Sequence, residues 1–210
     1  MSGSLFEELV IGNLRARVPI IQGGMGVAIS LSGLAAAVAN EGGIGVIATA
    51  GIGMSEKDLF SNFLEANIRS LRAEIRNARK LTNGILGVNI MVALSNYADL
   101  VRTAIEEGID IIFSGAGLPM NLPQYLTKGS RTKLVPIVSS ARAASVIIRR
   151  WWDRFQHLPD AVIVEGPLAG GHLGFKPEQI DDAAYALPQI FSEVVKTVNE
   201  MAKERNRTIP

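Results

Sequence analysis

Six short apolar runs rich in β-branched residues recur along this 210-residue chain, with helical periodicity in the stretches between them. The runs are VPIIQ (18–22), GVIAT (45–49), ILGVNIM (85–91), IDIIFS (109–114), KLVPIVSS (133–140) and AVIVEG (161–166). They are apolar almost throughout, so both faces of each strand must be covered, which is the pattern of a parallel sheet. Helices are expected over 30–42, 55–81, 96–108, 122–126, 141–155 and 183–205. In the long second one, Ser55 and Asp58 make a capping box, and Leu64, Ile68, Leu71 and Ile75 share one stripe, leaving the arginines toward solvent. A strand-plus-helix unit of about 25 to 40 residues is close to that of a (β/α)8 barrel, in which about 250 residues make eight units. The expected fold is α/β of TIM-barrel type, with about six parallel strand–helix units in a single domain over 1–210. A doubly wound open sheet is the rival architecture.

Charge and composition narrow the function. Lys plus Arg number 21 and Asp plus Glu 20, a formal charge of +1, so no global field draws the chain to nucleic acid or to an anionic membrane. The chain has no cysteine, which removes disulfides, thiolate metal sites, iron–sulfur clusters and thiol nucleophiles, and fits a reducing, cytoplasmic setting. The start, MSGSLFEEL, is acidic where a secretory signal would be basic. Residues 18–40 are uncharged and long enough to cross a bilayer, where about 20 apolar residues suffice, but QGGMG and SLSG interrupt them. Two strand–helix units fit that span better. No nucleic-acid partner, no membrane and no metal site are expected.

Glycine and polar residues cluster after the strands, at QGGMG, TAGIG, SGAG and EGPLAGGHLG. In either α/β architecture, the carboxyl ends of the strands are where ligands bind. Gly43, Gly45 and Ala48 match G-x-G-x-x-A, but that motif must lead from a strand into a helix, and here it runs into VIAT, itself a strand. QGGMG has two readings: a tight turn, or a surface of small residues around Met25 on which a planar ligand lies against backbone. The two histidines differ in position. His157 precedes the sixth run, at the end that reads as stability. His172 follows that run, on the functional face, where an imidazole flanked by glycines can exchange a proton with a bound substrate.

PIIQGGMG (19–26), GVNIM (87–91) and AGGHLG (169–174) resemble, in order, the motifs of the nitronate monooxygenase family, FMN-dependent TIM-barrel proteins that include the flavin-type enoyl-acyl-carrier-protein reductases. The resemblance covers the chain from Leu5 onward. It implies FMN as cofactor, with Gly23, Gly24 and Met25 lining the isoalloxazine and Asn89 hydrogen-bonding it. It also implies that Gly170 and Gly171 bring backbone to the flavin, and that His172 is the catalytic base. The substrates implied are a small nitronate with O2 or, alternatively, an enoyl thioester.

Two features depart from the family pattern. Glu165 and Leu168 stand where many members have glutamine and glutamate, and an anionic Glu165 beside the flavin would oppose the negative charge of its reduced form. After the last helix the chain reads NRTIP, where the family continues into a seventh strand, so the seventh and eighth units and their FMN-phosphate contacts are expected to be missing. Open strand edges would then favour self-association, and an inactive fragment needing a partner chain is a further reading. The activity expected of the complete form is oxidation of alkyl nitronates or nitroalkanes with O2.

Overall fold

The computed structural model describes residues 6–172 and 174–210. The chain forms two compact units, one running to Phe113 with Tyr125–Lys133 added, the other comprising Ser114–Gln124 and Leu134–Pro210.

The first unit opens with an antiparallel hairpin that the sequence patterning did not suggest, β1 (Leu9–Ile11) and β2 (Leu14–Ala16). Gly12 turns it with a left-handed φ of 58°. The first expected strand follows as an extended segment that makes one parallel bridge, Ile21 to Ile44. Its backbone is tied on both sides, by Gln22 N–H to the Ile44 carbonyl at 3.0 Å and by Ile44 N–H to the Ile20 carbonyl at 2.9 Å. Then come α1 (Ser32–Asn40), β3 (Ile44–Ala48), α2 (Phe63–Leu81), β4 (Ile85–Met91), α3 (Tyr97–Glu106) and β5 (Ile111–Gly115), whose last two residues fall in the second unit. The strand order is β3-β4-β5, and β3 pairs with β4 in parallel register from Ile44–Ile85 to Ala48–Asn89.

Every residue of β3 and of β5 is buried, as uninterrupted apolar runs require. The formal G-x-G-x-x-A match is resolved by packing: a β-carbon on Gly45 would collide with the backbone carbonyl of Ala35, so that glycine lets α1 lie on the sheet. Helix α2 starts at Phe63, eight residues later than its periodicity suggested. Ser55 closes a 3-10 turn (Ile52–Ser55) and makes no cap, because the acidic residues beside it serve another purpose. Glu56 and Asp58 both accept from the Arg69 guanidinium, and Glu56 also accepts from the Ser70 hydroxyl at 2.9 Å. The α2 arginines thus end on partners: Arg72 and Arg76 on Glu107, Arg72 on Glu106, Arg79 on Asp110.

The second unit holds β6 (Lys133–Val138, all but its first residue), α4 (Ala141–Phe155), β7 (Ile163–Val164) and α5 (Leu187–Lys203). β6 and β7 pair in parallel at Ile137–Ile163 and Val138–Val164. Helix α4 matches the expected 141–155 because the Ser140 hydroxyl caps it, accepting the Ala143 N–H at 3.2 Å. Trp151 is fully buried and donates its indole N–H to the Pro119 carbonyl at 2.8 Å. The last residues lie alongside β7, with Val162 N–H on the Pro210 carbonyl at 2.9 Å and Ile209 buried. Among the described residues, no helix is long and apolar enough to cross a membrane.

Candidate functional site

The expected site residues fall into two groups, one in each unit. In the first, Gly23, Gly24 and Met25 follow the Ile21 bridge and Asn89 lies near the carboxyl end of β4. Their placement follows from local hydrogen bonding. The Gln22 side chain behaves like an extra strand residue on β3, donating to the Val46 carbonyl at 2.9 Å and accepting the Val46 N–H at 3.2 Å. With its amide turned onto β3, Gln22 delivers the two glycines directly after it to the surface.

Asn89 is fixed through its backbone: its carbonyl accepts both the N–H and the hydroxyl of Thr49, each at 3.0 Å. Its side-chain amide makes no hydrogen bond to the described residues. Gly24 lies directly against it. A β-carbon on Gly24 would be 2.6 Å from the Asn89 β-carbon and 3.0 Å from its Cγ, closer than real β-carbons approach one another. The glycine motif and the G-V-N motif, 65 positions apart, are thus in contact.

In the second unit, Glu165 follows β7 and donates its backbone N–H to the Val138 carbonyl at 2.8 Å. Burial pushes its carboxyl above the ordinary glutamate range, while the Gly174 N–H pulls it partly back. The carboxyl therefore favours its neutral form more than an exposed glutamate would, which reduces the charge conflict expected beside a reduced flavin. Beyond it, Leu168, Gly170, Gly171 and His172 are exposed, and Gly171 takes a left-handed φ of 87°. A β-carbon at Gly23, Gly170 or Gly171 would meet nothing within 4 Å.

These groups suit a flavin ring. Exposed glycine backbone lets a flat ring approach closely, an unengaged primary amide can both donate and accept, and Met25 offers a polarizable apolar face.

His157 has a structural role. Its ring lies 5.9 Å from that of Trp151, and its Nε2 is 3.8 Å from Asp160, which pairs with both backbone groups of Leu134 at the start of β6. Sequence reasoning missed Gln22, Ser30 and Thr49, whose polar groups organise the first group of site residues. Ser30 and Thr49 are buried; Gln22 and Thr49 each end an apolar run at the carboxyl end of an expected strand, which was the legible signal, whereas Ser30, just before α1, carried none.

Residues 7–202 match the nitronate monooxygenase family. The chain belongs to that family. The family is one of flavin oxidoreductases, and the fold is α/β of TIM-barrel type. Among curated relatives, this family member is similar to the (3aS,4S,5R,7aS)-5-hydroxy-7a-methyl-1-oxo-octahydro-1H-indene-4-carboxyl-CoA dehydrogenases of Mycobacterium tuberculosis and Rhodococcus jostii. Each is 28% identical over 156 residues, 74% of this chain and 38% of the relative. Among solved structures, FabK from Thermotoga maritima is 31% identical with a TM-score of 0.64, covering 86% of this chain and 48% of FabK. The nitroalkane oxidase from Streptomyces ansochromogenes shares the fold at 21% identity and a TM-score of 0.67, covering 87% of this chain and 56% of that one. The chain spans less than half the length of those curated relatives and about half of those solved structures.

Proposed function

We propose that this chain carries one FMN-binding domain of an oxidoreductase that acts on alkyl nitronates or nitroalkanes with O2. The observation that supports this reading best is the contact of Gly24 with Asn89, which joins two of the three family motifs into one surface with an unengaged amide. Asn89 would hydrogen-bond the flavin ring, Gly23, Gly24 and Met25 would line it, and Gly170 and Gly171 would bring backbone to it. Bound FMN would supply the electron acceptor for the substrate. His172 stands on an exposed loop, flanked on one side by Gly170 and Gly171, and would accept the α-proton of a neutral nitroalkane. Burial raises the Glu165 carboxyl, the direction that would ease the charge conflict with a reduced flavin.

A second reading is favoured by the relatives. FabK at 31% and the indene-carboxyl-CoA dehydrogenases at 28% are nearer in sequence than the nitroalkane oxidase at 21%. Under this reading the substrate is an unsaturated or oxidisable acyl thioester, and a nicotinamide exchanges electrons with the flavin. One experiment separates the two: the FMN-loaded protein is mixed with a nitronate while O2 is monitored, and separately with NADH under anaerobic conditions while the flavin absorbance is monitored. The first reading expects O2 consumption and no bleaching. Rapid anaerobic bleaching by NADH without nitronate turnover would replace it with the second. Failure of the protein to bind FMN at all would overturn both.

A further inference from the structure

The segment 23–30 combines features that a simple turn does not need. Met25, Val27 and Ile29 are 49%, 60% and 61% exposed, yet Ser30, which ends the segment, has no exposed surface. Val27 and Ala28 both take left-handed φ angles, 57° and 59°. Two successive non-glycine residues in that region persist only where surrounding contacts over-determine them, and such strain concentrates at ligand sites.

The contacts that over-determine it converge on Ser30. Its hydroxyl accepts the Met25 N–H at 3.0 Å and donates to the Gly23 carbonyl at 3.4 Å. Its own N–H donates to the Met25 carbonyl at 3.0 Å, and its carbonyl accepts the N–H of Ala48, the last residue of β3, at 2.9 Å. Val27 N–H adds a bond to the Ala50 carbonyl at 2.7 Å. The Ser30 hydroxyl both donates and accepts, so one small side chain holds both Gly23 and Met25. Once those bonds are made, the backbone between Gly23 and Met25 has one geometry before any ligand arrives.

We infer that Ser30 is a positioning residue: its buried hydroxyl preorganises the Gly23–Met25 backbone as the surface on which the flavin ring lies. The role of that surface rests on the proposed function, whereas the brace itself stands on the hydrogen bonds. A preorganised surface avoids the ordering cost of binding, so loss of the brace is felt as affinity.

The test uses Ser30→Ala, with Ser30→Cys as a near-isosteric second variant in case the alanine protein folds poorly. Amide hydrogen exchange followed by NMR on the flavin-free chain reads the brace. The Met25 amide is expected to exchange about tenfold faster or more, while Ala48, bonded to the Ser30 backbone carbonyl, keeps its wild-type rate. FMN affinity from flavin fluorescence is expected to fall about tenfold in Ser30→Ala, with Ser30→Cys intermediate because a thiol is a weak donor and acceptor. Unchanged Met25 exchange would overturn the brace. Faster Met25 exchange with unchanged FMN affinity would overturn the positioning role. If wild-type protein binds no FMN, the proposed function and this role fall together, and the exchange result alone still decides whether the brace exists.

Discussion

The two glycine-rich loops that carry the expected site residues, one in each unit, are built in opposite ways. Residues 23–30 are cross-braced through Ser30 and Gln22, run through two strained left-handed residues, and pack Gly24 against Asn89. Residues 165–174 are anchored at their ends, by Glu165 N–H on Val138 and by the Ser139 hydroxyl on the Gly174 carbonyl at 3.4 Å. Between those ends Gly170 and Gly171 have open space around them, and His172 is exposed. A braced loop suits recognition of a rigid, flat group, because its geometry is fixed in advance. An open loop suits a residue that must meet a substrate and let it go.

The largest expected effect breaks or keeps the second half of that contrast. In FMN-loaded protein, His172→Asn should lower turnover of neutral nitroalkanes by about a hundredfold or more, the range for loss of a general base. Preformed nitronates need no proton removed and should lose far less. Equal losses on both substrates, read from steady-state kinetics, would make His172 a binding residue.

Glycine substitutions sharpen the first half. Gly24→Ala must displace the Asn89 side chain and should weaken FMN binding about tenfold, the cost of one lost or misplaced hydrogen bond. Gly170→Ala meets no protein atom, so its melting temperature should match wild type, and any change in FMN affinity then reports contact with the ligand itself. If the two variants bind FMN alike and melt alike, the loops do not differ as described.

A smaller effect tests the scaffold of the first unit. Glu107 accepts from both Arg72 and Arg76, at 2.9 and 2.7 Å, and joins α2 to the end of α3. Glu107→Gln should cost about 1 kcal/mol, lowering the melting temperature by about 2 to 4 °C in a chain of this size. An unchanged melting temperature would mean that these pairs add nothing beyond their solvated alternatives.

The smallest effect sets the two units against each other through pH. The hydrogen bond from Arg76, helped by Arg72, holds the Glu107 carboxyl below the ordinary range against a smaller opposing effect of burial. Its stabilisation is present above the unfolded pKa and is lost as pH falls through the folded one. Burial raises the Glu165 carboxyl, so its contribution has the opposite sign: it is greatest below the unfolded pKa and declines as pH rises through the folded value. Melting temperatures between about pH 3 and 7 should show that Glu165→Gln removes the decline on the alkaline side and Glu107→Gln removes the loss on the acid side. A Glu165→Gln curve parallel to wild type would show that the carboxyl is not shifted.

Much of this was legible along the chain, for a local reason. β4 and α4 have the expected limits because ILGVNIM is a continuous apolar run and Ser140 caps a strongly amphipathic segment, and both are properties of adjacent residues. The positions of His157 before its strand and His172 after it were also legible, since the order of strand and loop fixes which end each occupies. The hairpin β1–β2 was not, because three-residue strands leave too short a pattern to read. Nor was the late start of α2, since Ser55 with Asp58 satisfies the capping rule locally, and only the fold brings Arg69 close enough to claim Glu56 and Asp58. Ser30 read as one polar residue among many, and became a brace only when Gly23, Met25 and the end of β3 closed around it. The sequence alone determined the longer strands and helices such as β4 and α4, and which glycines and histidine follow a strand, because those depend on neighbours in the chain. Tertiary structure decided that Gly24 meets Asn89 and that Ser30 organises the loop between them, because hydrogen bonds and steric contacts depend on distance in space.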